Sequence, residues 1–204
     1  MNGKIKVAFL SVVVLGLAAC EDPPEPAIQA ARSALSSADA AGAAEYAPQS
    51  LAAAEAALQS LESELTVQDE KFAMFRDYEE STRLATEAQA AAEKAAADAE
   101  AGKQRVRSET EALLAQARTL IDEASTMLAT APRGKGSEVD LAVLQADIAG
   151  AGAVLPEVEQ SLAAGRYLEA KSRAESALQT AQDVKRAVET AITLSSSGAG
   201  SGGR

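Results

Sequence analysis

The sequence predicts an all-α protein: an elongated antiparallel helical bundle of coiled-coil character, with two tandem three-helix units sharing one long central helix. Three observations predict it. Alanine, the best helix former, fills about a quarter of the 204 residues. From Ala27 to Leu194, apolar residues recur at alternating spacings of three and four. The pattern also occurs twice along the chain.

The first helical segment carries Ile28, Ala31, Leu35 and Ala38 on one stripe. The second carries Leu51, Ala54, Leu58, Leu61, Leu65, Phe72 and Phe75. Gly42 to Pro48 is the turn between them, and Pro48 suits a first helical position because its missing N–H is not needed there. The third segment is predicted to run unbroken from Asp77 to Thr130. Every seventh residue from Tyr78 is apolar: Tyr78, Ala85, Ala92, Ala99, Val106, Leu113, Leu120 and Met127. That phase survives Gly102, whereas a loop normally resets it. The rival is a break near Gly102, with Ser108 and Glu111 forming a capping box for a new helix. Asp77 is expected to cap this third segment, with Glu80 three residues on. No Gly or Pro marks the turn before it.

Pro132 to Ser137 ends the long helix, with Ser137 as the cap of the next segment. That segment carries Leu141, Leu144, Ile148, Ala151, Leu155, Val158 and Leu162, and Gly165 should end it. Pro156 lies inside it and should bend it, with Gly152 leaving room for the ring. The last segment carries Tyr167, Ala170, Ala174, Ala177, Ala181, Val184, Val188 and Ala191. Residues 195–204 are rich in Ser and Gly and read as a disordered tail.

The repeat is visible residue by residue. Ala31-Arg32-Ser33-Ala34-Leu35 matches Ala117-Arg118-Thr119-Leu120-Ile121. Leu51, Ala54, Leu58 and Leu65 match Leu141, Leu144, Ile148 and Leu155. Tyr78, Ala85 and Ala88 match Tyr167, Ala174 and Ala177. Unit 1 is therefore expected over 27–101 and unit 2 over 102–194, in a spectrin-like arrangement by analogy of fold alone.

The first nineteen residues are an export signal. Lys4 and Lys6 precede an apolar stretch from Val7 to Leu17, shorter than the ~20 residues that span a bilayer. Leu17-Ala18-Ala19-Cys20 follows. This motif resembles the lipobox of bacterial lipoproteins, which implies a diacylglycerol thioether on the Cys20 sulfur and cleavage between Ala19 and Cys20. Glu21-Asp22-Pro23-Pro24-Glu25-Pro26 should then form an extended stalk, so that 20–26 joins the anchor to the body. Residue 21 is Glu rather than the Asp associated with inner-membrane retention, which favours the outer membrane.

Net charge is −11, and −13 once residues 1–19 are removed with Lys4 and Lys6. That balance opposes binding to nucleic acid and to anionic lipid headgroups, since phosphate contacts need cations. One Cys permits no internal disulfide, and the absence of His removes the commonest general base and metal ligand. A carboxylate-bridged metal bundle needs inward Glu-x-x-His pairs. Here Glu55, Glu62 and Glu64 lie off the apolar stripes. No catalytic residue, metal or cofactor is expected.

Ala43-Ala44-Glu45-Tyr46-Ala47-Pro48, then Leu51-Ala52-Ala53-Ala54 and a Tyr-led, Ala/Glu-rich helix at Asp77, resembles the bacterial domain-of-unknown-function family 4398 over about 27–99. The resemblance implies an Ala-rich helical envelope protein, often behind a lipobox, and no activity. The second unit departs from it, with Gly134-Lys135-Gly136-Ser137 in place of the Glu-Tyr-Ala-Pro turn.

Tyr46, Tyr78 and Tyr167 are read as sealing helix ends with their hydroxyls in water. Phe72, Met74 and Phe75 are read as core; the alternative is an apolar tip that docks a partner. The function expected is that of a lipid-anchored scaffold, spacer or interaction module that offers a helix face to a protein partner. The alternative is a periplasmic carrier for an apolar ligand. A pocket along the seam of the last three segments would favour the carrier, and a solid seam with exposed apolar surface the scaffold.

Overall fold

The computed structural model describes residues 22–131 and 137–199. Cys20, the rest of the export signal and the 132–136 turn lie outside the described residues, as does the Ser137 side chain. The elements in order are α1 (Glu25–Ala40), α2 (Ala43–Tyr46), α3 (Pro48–Asp69), a 3-10 turn (Ala73–Phe75), α4 (Glu79–Thr130), α5 (Ser137–Ala163) and α6 (Tyr167–Ala199). No strand occurs among the described residues. The fold is an all-α helical bundle, as the periodicity predicts.

Both outer boundaries of the helical body differ from expectation. The stalk is shorter than 20–26, because α1 already begins at Glu25. The Pro24 carbonyl accepts the N–H of Ile28 at 3.1 Å, which makes Pro24 the residue flanking the helix. Pro26 is tolerated because the first-turn N–H it lacks has no intrahelical partner. At the other end, α6 runs on to Ala199 through residues expected to be disordered. No Pro interrupts it, and each added residue gains a backbone hydrogen bond without a new nucleation cost.

The long helix is continuous through Gly102 over its 52 residues, starting two residues later than Asp77. Asp77 Oδ1 still accepts a first-turn amide, the N–H of Glu79 at 2.9 Å. Glu80 closes no capping box; it accepts from Arg83 at 2.8 Å. The buried register follows the heptad from Tyr78 through Ala85, Ala92 and Ala99 to Val106. It then slips by one residue. Thr110, Leu114, Ala117, Ala124 and Leu128 are buried, while Leu113, Leu120 and Met127 are only half-buried. A straight α-helix drifts about 20° per heptad, so one strict sevenfold register cannot stay inward over this length.

The chain divides into two compact units. Among the described residues, unit 1 comprises 22–40 and 48–95, and unit 2 comprises 41–47, 96–131 and 137–199. The division within α4 thus falls six residues before the expected one at 101/102, and the α1–α3 connection belongs to unit 2. In unit 1, Ile28 of α1, Leu61 of α3 and Ala85 of α4 form a buried cluster flanked by Leu58, Leu65 and Leu84. Ile28 is near the start of α1 and Leu61 near the end of α3, so the two helices run antiparallel.

Unit 2 has two buried layers shared by α4, α5 and α6. One holds Leu114, Ala117, Leu155, Val158, Ala170 and Ala174. The other holds Ala124, Leu128, Ile148, Ala181, Val184 and Val188. Alanines recur in both layers, where small side chains let the helices approach closely. Lys171 pairs with Glu109 at 2.6 Å and Lys185 with Glu123 at 2.6 Å. Both pairs step two heptads along α4 and α6, which are therefore parallel and in fixed register. The charges are exposed, so they select alignment more than they add stability. Arg32 of α1 reaches Glu62 of α3, and Arg118 of α4 reaches Glu159 of α5.

Candidate interaction surfaces

The connection from α3 to α4 is built around a glutamine. Gln68 is 4% exposed. Its carbonyl accepts both the Asp77 N–H at 3.0 Å and the Lys71 ammonium at 3.0 Å, while its amide donates to Glu64 at 2.6 Å. Arg76 donates to the carbonyl of Asp69 (3.1 Å), the last residue of α3, which has no intrahelical partner, and to that of Lys71 in the loop (3.2 Å). The loop is thus closed by polar side chains from within. Its apolar residues point outward: Phe72 is 81% exposed, Met74 79% and Phe75 67%. The expectation that these three are core is overturned. The 3-10 turn faces Ala73, Met74 and Phe75 away from the helices, and no buried residue lies in it. Val67, on the last turn of α3, is exposed as well.

A second construction joins the Tyr46 turn to α4 and α6. Gly42 adopts φ 75°, a left-handed conformation that only glycine enters freely, and it leads into α2. The backbone of α2 then lies directly on Gly102 of α4: a Cβ there would sit 2.5 Å from the Tyr46 carbonyl oxygen. Gly102 is therefore a contact point rather than a helix break. The Lys103 ammonium sits 5.9 Å from the centre of the Tyr46 ring. The Tyr46 hydroxyl oxygen accepts the N–H of Leu168, in the first turn of α6. Its phenol is held above the ordinary tyrosine range, first by burial and then by Glu45; Lys103 and the Leu168 N–H pull the other way.

Tyr78 also departs from expectation. It stands at the start of α4, but its hydroxyl is buried rather than in water. Neither it nor the Ser81 hydroxyl, one turn on, makes a protein hydrogen bond. An unpaired buried hydroxyl costs about 1–3 kcal/mol. Ser81→Ala removes one and improves helix propensity, so it is expected to raise unfolding stability by about 1 kcal/mol. A chemical-denaturation midpoint that fell instead would show that the hydroxyl has a partner.

α5 ends as the glycine predicts. Gly165 has φ 75°, its N–H bonds Leu162, and the N–H of Arg166 bonds Ser161 at 2.9 Å, a paired closure of the last turn. The helix passes through Pro156 without ending. One of its faces is uncharged and exposed: Ala142, Val143, Ala146, Ala149, Gly150 and Ala153. By length and composition alone Leu141–Ala163 could cross a membrane, with a mean hydropathy of 1.4, and only 17% of its most apolar stretch is buried. The groove found along α4 and α6, about 350 Å³, is lined by Ala115, Gln116, Thr119, Leu120, Leu178 and Gln182. It opens to the surface, and Leu120 and Leu178 of its lining pack against the two buried layers.

Ala19 and Cys20, the residues expected to carry cleavage and lipidation, lie outside the described residues. Among the described residues, no three His, Cys, Asp or Glu side chains converge as a metal site. Sequence reasoning missed Gln68 and Arg76, since nothing marks a lone polar residue as the closure of a loop. It missed the Tyr46–Gly102 contact as well, although Gly102 in an otherwise unbroken heptad was a usable signal.

These features define a helical protein whose exposed apolar surfaces, rather than any cleft, are its distinctive chemistry. Residues 26–111 match the family described as Domain of unknown function (DUF4398), a stretch that runs from the second residue of α1 through α3 and the first part of α4. No curated protein and no solved structure matches the chain.

Proposed function

We propose that this is a lipid-anchored protein of the bacterial cell envelope, held by acyl chains on Cys20 and facing the periplasm, with the outer membrane favoured. Its helical body works by contact, as a scaffold, spacer or interaction module, and performs no catalysis. The observation that carries this reading is the pairing of tightly packed alanine layers with apolar side chains left in solvent. Large apolar side chains are costly to expose and mark contact sites when they cluster. The uncharged face of α5 offers a protein partner a helix surface, the mode in which an amphipathic face is read by a groove or a second helix. A carrier needs an enclosed volume of several hundred Å³, and the α4–α6 groove is open instead.

Cys20→Ser tests the anchor. The variant is expected to leave the membrane fraction, and its retention there would contradict the proposal. A photoreactive residue at Val143 tests contact: in cells, a discrete covalent adduct is expected there and none at Asp122, which lies on an exposed face of α4. No adduct at Val143, or an equal one at both, would remove the case for an α5 interface.

A further inference from the structure

We infer that the α3–α4 tip is a second membrane contact, inserting Phe72, Met74 and Phe75 into the bilayer that holds Cys20. The inference rests on the anchoring proposed above and adds a site to it.

Topology places the tip at the right end of unit 1. The buried cluster brings Ile28, near the start of α1, beside Leu61 and Leu65, near the end of α3, and beside Ala85, near the start of α4. The beginning of α1 and the 70–78 loop therefore share one end of the unit. From Leu61, α3 continues for eight residues to Asp69, about 12 Å at 1.5 Å per residue. From Ile28 back to Glu25, α1 extends only about 4–5 Å in the same direction. The tip thus stands beyond the start of α1. Cys20 lies five residues before Glu25, within about 17 Å even if that segment is fully extended. A bilayer that holds Cys20 is within reach of the tip.

The chemistry of the tip fits a lipid surface. The sequence reads Lys71-Phe72-Ala73-Met74-Phe75-Arg76, four apolar residues between two cations, in a chain of net charge −11. Apolar side chains at this density enter the boundary between headgroups and acyl chains, while flanking cations lie at the level of the phosphates. Lys71 and Arg76 bond to Gln68 and to backbone carbonyls of the loop, and the apolar side chains between them are left exposed. The diacylglycerol on Cys20 already supplies two acyl chains, so a contact at the tip would orient unit 1 against the bilayer rather than secure its attachment.

The chain has no Trp and one Cys, which makes the test direct. The mature chain, from Cys20 onward, is coupled through that thiol to a maleimide phospholipid in phosphatidylethanolamine/phosphatidylglycerol vesicles. The anchor is thereby imposed whether or not cells supply it. Phe72→Trp is compared with Asp39→Trp, an exposed position at the far end of α1. Each variant then carries a single indole, whose emission reports on that position alone. With brominated lipids, emission of the Phe72→Trp variant is expected to fall several-fold and to be shielded from aqueous acrylamide. Emission of the Asp39→Trp variant is expected to change little. Equal access of acrylamide to both indoles, with no bromolipid quenching at position 72, would overturn the membrane contact and leave lipidation of Cys20 untouched. Matching circular dichroism of the two variants keeps the comparison between folded proteins. Absence of lipid on Cys20 in cells would instead strike the anchor and leave the quenching result standing.

Discussion

Gly102→Ala is expected to destabilise unit 2 by about 1–3 kcal/mol, although alanine is the better helix former. At an open helical position the same change would stabilise by about 1 kcal/mol. Here the new methyl would sit 2.5 Å from the Tyr46 carbonyl oxygen and 3.0 Å from its Cβ. Both belong to the α2 backbone and its root, so neither can move aside alone. The turn must lift off α4, taking with it the Tyr46 ring under Lys103 and the hydroxyl that accepts the Leu168 N–H. For a chain of this size, thermal unfolding should shift down by about 2–4 °C per kcal/mol. A rise in the midpoint would show that the helix passes Gly102 unobstructed.

Leu61→Ala should cost more, about 2–5 kcal/mol. Leu61 is fully buried, and its neighbours include Ile28, Ala85, Leu58 and Leu65. Much of the rest of unit 1's core is alanine, which cannot expand into the space left behind. Helices that already pack closely also resist collapse around a cavity. Amide exchange should report the loss in α1, α3 and the start of α4 first. Leu58→Ala, at a half-buried position beside it, should cost clearly less. Equal costs at the two sites would mean that the buried face of α3 is rotated away from Leu61.

The contrast between these two residues shows what was legible in the sequence. Leu61 was readable because helical burial repeats, and a stripe of Leu and Ala at three and four spacing can face only one way. The same logic located α1, α3, α4, α5 and α6 and the glycine closure at Gly165. It failed where structure is not periodic. Phe72 and Phe75 continue the α3 stripe in the sequence, so they read as core. The helix in fact stops at Asp69, and a 3-10 turn throws them outward. The stop itself comes from Gln68 and Arg76, whose hydrogen bonds depend on how the loop folds back and leave no spacing to read. Gly102 failed differently. Its propensity cost was visible and so was the unbroken heptad, but the reason for tolerating a glycine lay in a turn far earlier in the chain. The slip of register after Val106 reflects the mismatch between seven residues and two helical turns, which a fixed sevenfold count ignores.

Attachment of lipid to Cys20 is the claim on which localisation, the anchor and the membrane-facing tip all depend. Intact mass and N-terminal peptide mass of the protein extracted from bacterial membranes test it directly. The expected species begins at Cys20 and carries a diacylglycerol thioether on sulfur, with or without a further acyl chain on the amine. A chain that begins at any other residue, or that carries a free thiol at position 20, would contradict it.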